Sequence, residues 1–328
     1  MKIAIQKIFA FSFAIVISLT TSRAHAFGVE EVYAVDTGDK PLALRIWYPN
    51  VSSEMNAVQG DHLPLVVISH GTGGSKESHE DTARALADAG FVVAAVTHTG
   101  DNYKDLSYVR ERKQLVARPK HIVHTIDYML TAWRAHRQID AARIGIFGMS
   151  AGGFTALVLA GGQPDLKLTE AYCRTKPTPW SCEYLRKNGV SVESITAQPA
   201  SAWTHDARIK AAVIAAPALG YTFEPNGLAN VRIPIQLWSG EHDVIVDSSA
   251  DTLRKLLPAL TEDHRVSGAG HFSFLAPCNV SLSAIIAVKS WFGTEKICSD
   301  PEGFDRQRFH DEFNASIVKF FAAQLSDN

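Results

Sequence analysis

The chain has 328 residues, 46% of them apolar, and a formal net charge of −2. Near-neutrality without a basic tract argues against a phosphate backbone or an anionic membrane surface as the partner, so no nucleic-acid partner is expected. That apolar share over that length is enough for one large core, or for a core domain with an excursion.

Lys2 and Lys7 precede a mostly apolar run from Ile8 to Leu19, and Ala24-His25-Ala26 then supplies a small-x-small cleavage signature. This is the pattern of an export signal cut after Ala26. It predicts a signal peptide over residues 1–26 and a mature domain over 27–328, secreted or periplasmic. The apolar run is short for a bilayer span, and no later segment is long enough and apolar enough to supply one. No stable membrane span is expected once the signal is removed.

Residues 31–48 hold two extended runs around Thr37-Gly38-Asp39, the pattern of a hairpin at a sheet edge. Leu65 to Ile68 reads as a buried strand that runs into the glycine-rich stretch "SHGTGG", Ser69 to Gly74. Residues 80–89 have helical periodicity and stop at Gly90, and "FVVAAVTHTG" is a second buried strand. A helix over 119–136 is predicted to open at Pro119, with Ile122, Ile126, Met129, Leu130 and Trp133 at helical spacing. Ile144 to Phe147 is a further strand and Thr155 begins a helix; strands also fall at 209–217 and 233–240. Strands alternating with helices, apolar at consecutive positions, make an α/β fold with a mostly parallel sheet covered on both faces. Chemistry in such a sheet sits at the carboxyl ends of the strands.

Residues 163–207 break this rhythm, being rich in Pro, Thr, Ser, Lys and Trp. The segment is expected to be an insertion that either caps the active face or packs as a peripheral loop. In an exported chain the four cysteines read as disulfides. Three pairings exist, and Cys173–Cys182 with Cys278–Cys298 needs the least chain reach. A zinc site is not expected, because there is no CxxC and no histidine at ligand spacing.

The stretch "GIFGMSAGGFTAL" places Ser150 between a strand and a helix, with Gly148, Ala151 and Gly152 as the small residues a tight turn requires. A serine nucleophile needs a base, an orienting carboxylate and donors for the oxyanion. Asp243 follows a strand in "QLWSGEHD", and His271 follows Gly268-Ala269-Gly270. The chain order Ser150, Asp243, His271 is that of a nucleophile-elbow hydrolase. His242 is an alternative base, and Asp247 or Glu241 an alternative acid. The backbone amides of Thr72 and Ala151 are the expected oxyanion donors. His70 is expected to brace its loop through a backbone hydrogen bond. His70, His98 and Arg118 are placed at the cleft, and Arg118 has loop capping or surface pairing as alternatives.

Over about residues 30–325 the chain resembles secreted bacterial α/β-hydrolases, of the dienelactone-hydrolase-like and platelet-activating-factor-acetylhydrolase-like group. The resemblance rests on "VVISHGTGGSKES", "AGFVVAAVTHTGDN", "RIGIFGMSAGGFTAL", "LWSGEHDVIV" and "GAGHFSF". It implies an α/β-hydrolase fold, Ser150 as nucleophile, His271 as base, and Thr72 and Ala151 as oxyanion donors. The sequence departs from both relatives. Dienelactone hydrolases proper carry a cysteine where Ser150 stands. The acid that acetylhydrolases place after the next strand is missing from "IKAAVIAAP", which leaves the role to Asp243. The expected activity is hydrolysis of small to medium carboxylic esters through an acyl-enzyme, with no metal or organic cofactor and a small-molecule ester as partner. A peptidase or amidase on the same triad, and a non-catalytic binding protein on a hydrolase scaffold, are the alternatives.

Overall fold

The computed structural model describes residues 27–35, 40–50, 57–109, 111–176, 180–187, 189–191, 203–246, 248–278 and 297–327. The signal peptide expected over 1–26, the turn at Thr37-Gly38-Asp39 and the alternative acid Asp247 lie outside these residues.

Eight strands form one sheet: β1 (Phe27–Ala34), β2 (Leu42–Pro49), β3 (Leu63–Ser69), β4 (Val92–Thr97), β5 (Ile139–Met149), β6 (Ile209–Ala215), β7 (Ile235–Gly240) and β8 (Leu260–Val266). Their spatial order is β1-β2-β4-β3-β5-β6-β7-β8. The β1–β2 hairpin is antiparallel at one edge, β2 is antiparallel to β4, and every other pair is parallel. Seven α-helices of eight residues or more accompany the sheet among the described residues: α1 (Glu80–Asp88), α2 (Arg112–Thr131), α3 (Ala151–Leu159), α4 (Leu168–Thr175), α5 (Trp180–Lys187), α6 (Ser249–Leu256) and α7 (Arg306–Gln324).

The consecutive apolar residues of the central strands are explained by the two layers around them. Leu65 and Val67 of β3 face a cluster with Ile122 and Ile126 of α2, Leu157 of α3 and Leu253 of α6. Val66 and Ile68 face the other side, against Leu86 of α1 and Phe313, Ile317 and Phe321 of α7. A strand buried on both faces has no polar alternation to show. β8 is the opposite case. It lies at the open edge, alternates half-buried and exposed positions, and its "LTEDHRV" carries charge where a solvated edge tolerates it.

The helix expected from Pro119 begins earlier, at Arg112, and holds Pro119 inside it. Proline forfeits one intrahelical hydrogen bond there. The first turns hold because Leu115 and Arg118 are buried and Gln114 and Arg118 bond to Asp101. Residues 163–207 contain α4 and α5, joined by Cys173–Cys182; the second bridge is Cys278–Cys298. Among the described residues no helix is long and apolar enough to cross a membrane, and no cluster of His, Cys, Asp and Glu is arranged to hold a metal ion.

Candidate active site

β5 ends at Met149, and α3 begins at Ala151. Ser150 between them adopts φ 56° and ψ −118°. Positive φ in a residue other than glycine is strained, and a strand-to-helix elbow is where such strain lifts a side chain clear of the sheet. The neighbours hold it there. Ser150 N–H donates to the Ala215 carbonyl at 2.9 Å, and the Ser150 carbonyl accepts from Ala218 and Phe154 at 3.0 and 3.2 Å. A Cβ on Gly148 would strike the Gly152 carbonyl, and one on Gly152 would strike the Ser69 carbonyl. Only glycine admits those backbones to each other.

The Ser150 hydroxyl lies 3.0 Å from His271 Nε2, and His271 Nδ1 lies 2.8 Å from Asp243 Oδ2. The carboxylate accepts the Nδ1 proton, leaving Nε2 free to accept from the hydroxyl. Asp243 Oδ1 accepts the Ile245 and Val246 amides at 2.9 and 3.1 Å. Burial alone would push the Asp243 carboxyl up. The charge and hydrogen bond of His271, with those two amides, outweigh it and hold the carboxyl below its ordinary value. The side chains of His271 and Asp243 are both 5% exposed, so the pair is shielded from water.

Of the other residues weighed for these roles, Glu241 and His242 do not join the cluster. Glu241 is exposed and accepts the Ser267 hydroxyl and the Gly268 amide at 2.7 and 3.0 Å, which fastens the glycine approach to His271. His242 is exposed, and its amide donates to the Ala269 carbonyl.

After β3 the chain turns through His70, Gly71 and Thr72. His70 Nε2 accepts the His98 amide at 3.1 Å, so the proton sits on Nδ1, which donates to the Gly71 carbonyl at 2.6 Å. A trans peptide points its N–H opposite its C=O. Fixing the Gly71 carbonyl therefore fixes the direction of the Thr72 amide. The Thr72 hydroxyl accepts from Gln114 at 3.0 Å, and the Gly73 amide donates to Asp101 at 2.9 Å. Ala151 supplies the first amide of α3, at the positive end of the helix dipole.

The expectation that His70, His98 and Arg118 line the cleft is corrected. They are 1%, 0% and 1% exposed and lie beneath the loop rather than beside it. Arg118 pairs with Asp101, donates to the His70 carbonyl, and reaches the Thr155 hydroxyl at 3.2 Å. His98 lies 2.9 Å from the Ser69 hydroxyl and 3.2 Å from His121. Burial, reinforced by the Arg118 charge, holds the His70 and His98 imidazoles well below their ordinary range, so both are neutral props. Asp101 and Gln114, which organise this loop, escaped the sequence reading because neither carries a motif. The quoted "THTGDN" contains Asp101, and an acid in the turn after an apolar strand was the available signal.

Residues 53–184 match the dienelactone hydrolase family. Two curated relatives, "Cutinase est1" and "Cutinase est2" of Thermobifida alba, are each 30% identical over 167 residues, covering 50% of this chain and 48% of theirs. The chain spans about half the length of the curated relatives it matches. Among solved structures, a ferulic acid esterase from Streptomyces cinnamoneus superposes with a TM-score of 0.59 at 18% identity, over 93% of this chain and 91% of that one. A dienelactone hydrolase from Anabaena variabilis superposes with a TM-score of 0.50 at 17% identity, over 82% and 98%. The fold is that of the α/β-hydrolases, and residues 53–184 are similar to the dienelactone hydrolase family.

In the strand order of this α/β-hydrolase fold the candidate residues follow the carboxyl ends of neighbouring strands, with only β6 passed over. Thr72 comes after β3, Ser150 after β5, Asp243 after β7 and His271 after β8. The α4–α5 insertion reaches the same end of the sheet. Tyr172 of α4 stacks on Tyr221 in the turn that follows β6, with ring centres 3.8 Å apart, and Lys176 donates to Ser248 after β7 at 3.0 Å. Trp203, one of the aromatics of the insertion, packs down on Phe154 of α3 instead.

Proposed function

We propose that this protein is an exported serine hydrolase that cleaves carboxylic esters of small to medium size through an acyl-enzyme. The observation that carries the reading is the chain of contacts from Ser150 to His271 at 3.0 Å and from His271 to Asp243 at 2.8 Å, with the serine on a backbone strained to φ 56°. The names of the relatives, cutinase and ferulic acid esterase, support ester cleavage. Two disulfides support an oxidising compartment.

In this reading His271 Nε2 takes the hydroxyl proton as Ser150 Oγ attacks the carbonyl carbon. The Thr72 and Ala151 amides bind the oxyanion, and Asp243 stabilises the imidazolium. His271 then returns the proton to the leaving alkoxide as the C–O bond breaks. Water attacks the acyl-enzyme by the same route, giving the acid and restoring Ser150. Residues 163–207 serve as a cap over the acyl site, a role supported by the Tyr172–Tyr221 stack at the carboxyl end of the sheet.

Exposure to a fluorophosphonate, followed by peptide mass spectrometry, is expected to find the label on Ser150. Ser150→Ala is expected to lower kcat on p-nitrophenyl acetate by about 10⁴-fold or more. Label on another residue, or an active Ser150→Ala enzyme, would sink the mechanism. Faster turnover of aminoacyl amides than of p-nitrophenyl esters would move the substrate class to amides.

A further inference from the structure

The turn that carries His271, a single 3-10 turn over His271–Phe274, is fastened from behind by the C-terminal segment. Ser273 is 1% exposed. Its hydroxyl donates to Asp300 Oδ1 at 2.7 Å, and the same oxygen accepts the Gly270 amide at 3.1 Å. Arg306 of α7 grips Asp300, with Nε 3.1 and 2.9 Å from its two oxygens and Nη2 3.0 Å from Oδ1. The Ser273 carbonyl accepts from His310 Nε2 at 2.9 Å, and His310 Nδ1 donates to Asp81 of α1 at 2.6 Å. The Cys278–Cys298 bridge joins the chain leaving the turn to the chain arriving at Asp300.

These contacts have a direction. A carboxylate only accepts, so the single Ser273 proton points at Asp300 and the lone pairs of its oxygen remain for the Gly270 amide. That amide belongs to the residue before His271. Holding it closes the turn and fixes the backbone from which the imidazole leaves. The two ring contacts of His271 set the plane of the ring. They leave the position of its Cα to the turn.

We infer that Ser273 and Asp300 are positioning residues for His271, with the Arg306-held carboxylate fixing the hydroxyl that in turn fixes the general base against Ser150. The role rests on the reading of Ser150, Asp243 and His271 as a catalytic triad. A base displaced by a fraction of an ångström loses rate without losing substrate, so the signature falls on kcat.

The test compares Ser273→Ala and Asp300→Asn with the unaltered enzyme on p-nitrophenyl acetate, dividing each kcat by the fraction of molecules that a fluorophosphonate labels at completion. Each variant is expected to lose roughly tenfold or more in kcat per labelled site, with KM within about twofold. The double variant is expected to lose little more than either single one, because both act through one path. Turnover per site within about twofold of the unaltered enzyme, with only the melting temperature lowered, would make the contact merely structural and overturn the inference. Ser273→Ala removes one oxygen and decides the matter alone if Asp300→Asn does not fold. Ser150→Ala runs beside them. If it stays active, the triad reading falls and takes the inference with it. If it is inactive while Ser273→Ala keeps full turnover per site, only the inference falls.

Discussion

The elbow around Ser150 and the turn around His271 meet across 3.0 Å but are built in opposite ways. The elbow is held by exclusion. It joins two central elements, residues 144–149 and 151–159 are all buried, and backbone meets backbone at Gly148 and Gly152 with no room for another carbon. The turn is held by attraction. It follows the edge strand β8, and its place depends on acceptors and donors sent from Asp243, Glu241, Asp300 and His310. A position defined by exclusion tolerates the loss of a hydrogen bond but not the gain of an atom. One defined by attraction tolerates some extra volume but not the loss of a partner.

The largest effect expected from this contrast is on the elbow. Gly152→Ala forces a methyl into the Ser69 carbonyl and is expected to cost about 4 kcal/mol or more, enough to deplete the folded protein. Urea unfolding reads the cost directly. A variant as stable as the parent would show that β3 can shift, and that exclusion is not what holds Ser150.

Next comes the network beneath the Thr72 loop. Arg118→Met removes the cation from Asp101, whose side chain is 1% exposed. Leaving a buried carboxylate without its partner is expected to cost about 3–5 kcal/mol. The freed loop should also lower kcat by about 100-fold through loss of an oxyanion donor. Parallel melts and single-turnover rates separate the two. An unchanged stability would mean that Gln114 and the Gly73 amide satisfy Asp101 unaided.

The smallest effect is acidic. In the folded state the carboxyls of Asp243 and Asp81 are held below their ordinary value. Burial opposes this in both, and the contacts with His271 and His310 overcome it. The unfolded chain therefore takes up protons first as pH drops. The stability these groups contribute is complete above the unfolded carboxyl value of about 3.9 and drains away as pH falls through their lower folded values. Melting temperature is expected to decline already below about pH 6.5, where the unfolded chain protonates imidazoles that the fold keeps neutral at His70 and His98. It is expected to fall further below about pH 4, this second limb being less steep in Asp243→Asn. An equal fall in the variant would assign the acid limb to other carboxyls.

The same contrast explains what could be read from the sequence. The elbow was legible because its determinants, Gly148 to Gly152, are contiguous and small for a local reason. The parallel sheet was legible because its strands are apolar without alternation. Ser273, Asp300 and His310 carried no local mark, since their partners lie up to 229 residues away. A signal for α7 existed in Phe309, Phe313, Ile317 and Phe320 at helical spacing behind Asp305, which caps the helix, and it would have put His310 on the buried face. β8 was hidden by its charges. Arg118 and His98 were assigned to the cleft because a sequence does not distinguish a polar residue facing solvent from one paired beneath a loop.

The position of α7 gives the chain a built-in order of assembly. Phe321 closes over Gly145 of β5, while Arg306 and His310, earlier on the same helix, hold the turn of His271. A polypeptide that is still being synthesised can already contain the elbow, Asp243 and the imidazole, yet lack the helix that draws the imidazole into register. On the proposed reading of the site, competence to react with esters arrives with α7 rather than with His271. On that reading, a chain lacking α7 holds Ser150 on its elbow without a base in register to activate it.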